Sequence, residues 1–305
     1  MGGDRSSALI VNTIWSAIAA IVIVTLRISF RSYRRQFDVS DACITLSLAS
    51  SIAQDVFNLI PYIHYGYGKH AAEVPKILRT SATPKLLFWL NQIFFKLSTG
   101  LSKLSLCLVY TRLFQRADIR IIRYTRVVVY VITFTVVTYY GAATFVSTFQ
   151  CNPIRKAWKT ATHGTCIDND EFRLGTAWIN VITSFALVFT PLPALHYMKD
   201  RRPEVSELIG LILLGLAHTG CTLTRLVMNM MRYPPDVGDP QWTNTPANTI
   251  AMVENNIGIV AASLVVMRPC FRFISNKLHG RPGQEGLDNR RRRQKYKWQA
   301  ERRIE

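Results

Sequence analysis

The chain has 305 residues and carries 37 Lys and Arg against 19 Asp and Glu, a formal net charge of +18. Taken as one number that excess points to nucleic acid, but 49% of the residues are apolar and only 18% charged, below the roughly 25% usual for soluble domains. The composition excludes a disordered chain, disfavours an ordinary soluble enzyme and fits a polytopic membrane protein with a basic tail.

Crossing a hydrocarbon core about 30 Å thick takes about 20 mostly apolar helical residues. Seven stretches qualify, running Ala8 to Ile28, Ala42 to Tyr65, Leu86 to Tyr110, Val127 to Phe149, Leu174 to His196, Leu208 to Met230 and Ala247 to Met267. In the first, Ala17-Ile18-Ala19 has the small-x-small shape of a signal-peptide cleavage site, but the apolar run continues through Ile23 and Leu26 and reads as a spanning helix. The second, third and sixth are less apolar than a lone spanning helix, so they are expected to face protein rather than lipid. The predicted fold is all-α, a seven-transmembrane helix bundle over residues 8–275. A polar basic tail over 276–305 is expected to be cytoplasmic and disordered.

Basic residues in the connections set the orientation. With the N-terminus outside, the inner connections and the tail hold 24 Lys and Arg and the outer connections 10; without the tail the balance is 12 to 10. The count predicts an outer N-terminus and a cytoplasmic C-terminus, in the plasma membrane or an endomembrane. The tail run Arg290-Arg291-Arg292-Arg293-Gln294-Lys295-Tyr296-Lys297 reads as attraction to anionic inner-leaflet lipids, about 1 kcal/mol per basic residue near the surface. On a seven-segment chain that reading displaces nucleic acid as the partner.

Cys151 and Cys166 fall in the outer loop between the fourth and fifth stretches, a side that is oxidising during secretion. A disulfide closing this loop over the bundle mouth is expected, the alternative being two unpaired thiols. No CxxC pair, HExxH or other metal-ligand spacing occurs, so neither a metal nor another cofactor is expected.

An ionised side chain at the bilayer centre costs about 2.5 to 3.5 kcal/mol on insertion scales, so each one needs a partner or a wet cavity. Counted inward from the outer ends, Asp55, Lys96, Glu254 and Arg225 lie at overlapping depths, about five to ten residues in. Gln92, Lys96, Thr99 and Lys103 are spaced 4, 3 and 4 and share one helical face; His218 and Arg225 share another. Glu254, Gly258 and Ala261 put a carboxylate on a stripe of small residues suited to close packing. The pattern points to a polar pocket in the outer half, roofed by the Cys151 to Cys166 loop and lined by Asp55, His64, Asn91, Gln92, Lys96, Arg225 and Glu254. Two interhelical ion pairs, Asp55 with Lys96 and Glu254 with Arg225, account for the same charges structurally and are compatible with it. Lys103 lies deeper and is expected to snorkel toward the inner face, outside the pocket.

Several short motifs now stand in order: Phe37-Asp38-Val39-Ser40-Asp41-Ala42, Tyr65-Gly66-Tyr67-Gly68-Lys69-His70, Lys103-Leu104-Ser105 with Tyr110-Thr111-Arg112-Leu113-Phe114, Phe149-Gln150-Cys151-Asn152-Pro153 with Gly164-Thr165-Cys166-Ile167-Asp168, and Glu254-Asn255-Asn256-Ile257-Gly258. Together they resemble the fungal rhodopsin-like integral membrane family, which includes the satratoxin-cluster membrane protein and the heptahelical core of many fungal receptor-like proteins. The resemblance covers roughly residues 8 to 275 and carries over no agreed catalytic residue. Ser40 departs from it, standing where the family often has an Asp. A retinal Schiff base of the usual kind needs a Lys in the seventh helix, and Ala247 to Met267 contains none.

The resemblance and the polar pocket together imply a membrane protein that handles or senses a small lipophilic molecule, linked to secondary-metabolite biosynthesis. The alternative is a membrane-embedded, cyclase-like tailoring enzyme acting on a terpenoid or polyketide, with Asp55 or Glu254 as the acid.

Overall fold

The computed structural model describes residues 6–79, 81–115, 120–159, 161–192, 202–231 and 240–267. The tail expected over 276–305 lies outside them. The long helices are α1 (Ser6–Tyr33), α2 (Val39–His64), α3 (Ala82–Gln115), α4 (Arg120–Thr148), α5 (Asn169–Phe189), α6 (Arg202–Met230) and α7 (Thr245–Val266). Six helices among the described residues are long and apolar enough to cross a membrane, the first at Ser6–Tyr33 and the last at Gln241–Val266. The remaining long helix, α6, has 29 residues. The protein is a multi-pass membrane protein.

The helix ends follow from side-chain chemistry rather than from where the apolar run stops. Asp38 caps α2: its carboxylate accepts from the Val39 N–H at 2.6 Å, and Asp41 reaches back to the Asp38 N–H at 3.1 Å. Asp168 caps α5 by accepting from Asp170 and Glu171 N–H at 2.9 and 3.2 Å. At the C-terminal end of α2, the end expected to be the outer one, the chain turns on Gly66, at φ +71°, and Gly68, at φ +89°; a Cβ on Gly68 would lie 3.0 Å from the Ser6 nitrogen at the start of α1. At 34 residues α3 is about 51 Å long, well beyond the bilayer's apolar thickness.

Lipid-facing and protein-facing residues separate along each outer helix. On α4, Val127, Val131, Phe134 and Phe145 are exposed, whereas Val129, Ile132, Val136 and Tyr140 pack on Cys107, Tyr110 and Leu187. On α1, Val11, Trp15 and Val22 are exposed while Ala20 and Val24 meet Ile44, Ile259 and Ala262. Because lipid is as apolar as the helices, close approach at small residues drives association. Gly100 of α3 shows it: a Cβ there would stand 2.7 Å from the Tyr140 Cβ of α4.

α7 packs against α1, α2, α3 and α6, α3 against α2 and α4, and α5 against α6. Between α4 and α5 two short strands, β1 (Cys151–Asn152) and β2 (Thr165–Cys166), pair antiparallel with Cys151 opposite Cys166, and a disulfide joins them. The hairpin rests on the outer end of α3, where the Trp158 ring lies 5.2 Å from Trp89 and Trp89 Nε1 donates to the Ser147 carbonyl at 3.0 Å.

Candidate functional site

Three consecutive residues of α7 organise the interior. Successive residues of an α-helix point about 100° apart, so Glu254, Asn255 and Asn256 face three different sets of neighbours. Glu254, fully buried, receives Arg225 of α6, Nε to Oε2 at 2.6 Å, and Asn180 of α5, Nδ2 to Oε1 at 2.6 Å. Asn255 Nδ2 lies within hydrogen-bond distance of Ser51 Oγ (3.0 Å), Gln54 Oε1 (2.7 Å) and Ser98 Oγ (3.0 Å), on α2 and α3. Asn256 donates to Ser16 of α1 at 3.1 Å and to Asp55 of α2 at 3.3 Å, and its Oδ1 accepts from Ser51 at 2.9 Å. Gly258, one turn on, lets α6 close in: a Cβ there would stand 3.1 Å from His218 Cε1.

The network continues into α5. Lys103 Nζ has four oxygens around it: the Asn180 carbonyl at 2.9 Å, Asn180 Oδ1 at 2.6 Å, Thr183 Oγ1 at 2.7 Å and Ser184 Oγ at 3.0 Å. Tyr140 OH also donates to Asn180 Oδ1 at 2.8 Å. Lys103 therefore does not snorkel to the inner face; three hydroxyl and amide side chains of α5 solvate it inside the bundle, which is cheaper than dragging backbone and lipid to it.

A second cluster clamps the opposite end of the bundle, the one expected to be inner. Arg27, near the C-terminal end of the first apolar stretch, is a fully buried residue of α1, because Asp41 supplies its counter-charge and the Ala262 carbonyl and Ser40 hydroxyl accept from its other nitrogens. Arg31 meets the other Asp41 oxygen at 2.7 Å. Arg112 of α3 pairs with Asp38, and Ser105 donates to the Ser40 carbonyl at 2.7 Å. Desolvation raises the Asp38 carboxyl, but the hydrogen bonds from Arg112 and the Val39 N–H outweigh it and hold Asp38 below its ordinary range.

Toward the end of the bundle that carries the disulfide hairpin, several buried polar groups have no hydrogen-bond partner among the described residues. Asp55 accepts from Asn256 on one oxygen, and its other oxygen, Oδ1, is buried without a partner. Asn58 Nδ2, Asn91 Oδ1 and both polar atoms of Gln92 are likewise buried and unpartnered. Among the described residues the Lys96 ammonium, on a residue 5% exposed, has only the Phe172 ring, 5.0 Å away. Antiparallel packing of α2 on α3, set by Ser47 against Ser98 and Phe57 against Phe94, places Asp55 and Asn58 level with Asn91 and Gln92. Native interiors leave few polar groups unsatisfied, so these groups stand out from the rest of the interior network.

Of the residues expected to line the pocket, Asp55, Asn91, Gln92 and Lys96 lie buried in this outer set, and Arg225 and Glu254 form an ion pair below it. His64 does not join them: it is exposed at the end of α2, and Tyr62, two residues earlier, turns inward instead to accept from Asn248 at 3.3 Å. Asp55 and Lys96 form no ion pair, since α7 interposes Asn256 on the Asp55 side and Lys96 turns toward α5. Both Glu254 oxygens serve as acceptors, which leaves neither placed to deliver a proton to a substrate. Asn180, Asn255, Asn256 and Arg27 were not legible as interior residues from spacing; the signal for the two α7 asparagines was their adjacency to Glu254 inside an apolar run.

A family model described as the fungal rhodopsin domain matches residues 26–273. The chain is 25% identical over 285 residues, 87% of its length and 74% of the relative's, to the polyenoic acids biosynthesis gene cluster protein Ba17b of Metarhizium anisopliae. Over 129 residues, 42% of this chain and 32% of the relative, it is 31% identical to a SAT4 family membrane protein of Emericella nidulans. The matched span takes in the inner clamp, the α7 hub and the outer polar set, and the chain belongs to the fungal rhodopsin domain family.

Proposed function

We propose that the protein binds a small lipophilic molecule in the outer half of the bundle and that this binding serves secondary metabolism, as a sensing or handling component rather than a catalyst. The observation that carries the reading is the set of buried, unpartnered polar atoms on Asp55, Asn58, Asn91 and Gln92. Orphaned groups cost about 1 to 3 kcal/mol each when buried, a cost that a ligand offering hydrogen bonds relieves. The link to secondary metabolism rests on the relative from a polyenoic acid gene cluster. The Glu254 geometry counts against the cyclase-like alternative, which is left with Asp55 alone as its acid.

In this reading α6 is the seventh crossing, the N-terminus is outside and the C-terminus cytoplasmic. The Cys151–Cys166 disulfide supports that orientation, because it belongs in an oxidising compartment and lies between α4 and α5. The tail over 276–305 then meets anionic inner-leaflet lipid.

Thermal unfolding of the purified protein against a panel of lipophilic polyketides, terpenoids and unsaturated acids tests the reading. A binder shifts the unfolding midpoint upward in a concentration-dependent way, and Gln92→Leu with Asn91→Leu abolishes the shift. Equal shifts in wild type and variant would place binding elsewhere and overturn it. Turnover of a panel member, lost in Asp55→Asn, would favour the enzyme instead.

A further inference from the structure

Two lysines of α3 stand seven residues apart on one helical face, and their surroundings differ completely. Lys103 has four oxygen acceptors from α5. Lys96, two turns along the same face toward the disulfide hairpin, is buried and among the described residues has no hydrogen-bond acceptor and no carboxylate, only the Phe172 ring. Arg173, next to Phe172 in α5, and Arg225 of α6 carry their own counter-ions, Asp170 and Glu254. Gln92, one turn further out on that face, has both its amide nitrogen and its amide oxygen unpartnered. A buried ammonium with no counter-ion among the described residues, and an unused amide donor beside it on the helix, is the complement of an anion.

We propose that the ligand of the outer site is a lipophilic carboxylate, with Lys96 as its counter-ion and the Gln92 amide as a second hydrogen-bond partner. The inference rests on the ligand-binding reading above and names its chemical class. Lys96 has no carboxylate paired with it among the described residues, so its single charge matches a monoanion; a phosphate dianion would add excess negative charge to a region that already holds Asp55. The neighbouring rings supply the apolar walls that a hydrocarbon skeleton needs: Phe172 beneath Lys96, Phe88 stacked under Arg173 at 5.4 Å and Phe95 under Arg225 at 4.7 Å. Arg225 is already committed to Glu254, so it leaves the anion to Lys96.

Linoleate, linoleic acid methyl ester and linoleyl alcohol, titrated against the full chain in nanodiscs of neutral lipid, separate the head group from the tail. The acid is expected to stabilise the wild type, with the ester and the alcohol binding on the order of tenfold to a hundredfold more weakly, the worth of one charge-assisted hydrogen bond. Lys96→Met removes the preference for the acid and Lys96→Arg retains it. Because Lys96 has no partner to strand, Lys96→Met is expected to fold; Gln92→Leu, which weakens acid binding without abolishing it, is the second variant. Ester or alcohol binding as tightly as the acid, or acid binding unchanged in Lys96→Met, overturns the carboxylate assignment while the ligand-binding reading stands. Absence of stabilisation by these three and by every member of the polyketide, terpenoid and unsaturated-acid panel overturns both.

Discussion

Arg225 and Glu254 meet across α6 and α7 with Nε 2.6 Å from Oε2, the Glu254 residue fully buried and the Arg225 side chain 12% exposed. Removing one partner strands the other charge inside the bundle. Arg225→Met or Glu254→Leu alone should lower stability by about 3 to 5 kcal/mol, whereas the two together should recover most of it. Thermal unfolding of the four forms in detergent gives the cycle, and additive losses would deny the pairing.

Asn255 offers one amide nitrogen to Ser51, Gln54 and Ser98. Asn255→Leu leaves the Gln54 oxygen without that donor and should cost about 1 to 3 kcal/mol. Asn255→Asp, which replaces the donor by an acceptor facing the Gln54 oxygen, should be worse. Chemical denaturation ranks the three proteins; equal stability of all three would show that the amide contributes nothing.

The Cys151–Cys166 disulfide closes a loop of 15 residues' separation. Cys151→Ser with Cys166→Ser should cost about 3 kcal/mol or less, through the freer unfolded loop. Maleimide labelling of the intact protein should gain two sites on reduction, and labelling of both cysteines before reduction would contradict the bond.

Asp38 titrates below its ordinary value of 3.8 in the folded protein, so it binds protons less readily there than in the unfolded chain. Its contribution is therefore complete above that ordinary value and is lost as pH falls through the lower folded one. Asp38→Asn keeps a residue suited to capping α2 but gives up the Arg112 pairing, and should flatten the acid limb of the stability profile. An unchanged acid limb would remove Asp38 from the acid response.

Hydropathy located the bundle because lipid demands unbroken apolar length, and periodicity put Lys96, Thr99 and Lys103 on the inward face of α3. Helix ends were less legible: caps such as Asp38 and buried ions such as Arg27 carry helices past the apolar run. The Arg225 and Glu254 pairing could be read from opposite charge at matching depth. The same rule misassigned Asp55 to Lys96, because depth says nothing of rotation about the helix axis. That rotation is set by neutral residues, Asn255 and Asn256 above all, whose short polar side chains carry no signal of direction in the sequence. The orphaned amide of Gln92 is invisible to any pattern, since a missing partner shows only once the neighbours are in place.

The three adjacent side chains Glu254, Asn255 and Asn256 make α7 behave like a keyed shaft. Turning it disengages α5 and α6 on one side and α1, α2 and α3 on the others in a single motion, so small independent rotations are ruled out energetically. Displacing α5 costs more than the Glu254 key, because Asn180 also holds Lys103 of α3 and Tyr140 of α4. One asparagine thus fastens α5 to α3, α4 and α7 at once, which denies that helix a free hinge.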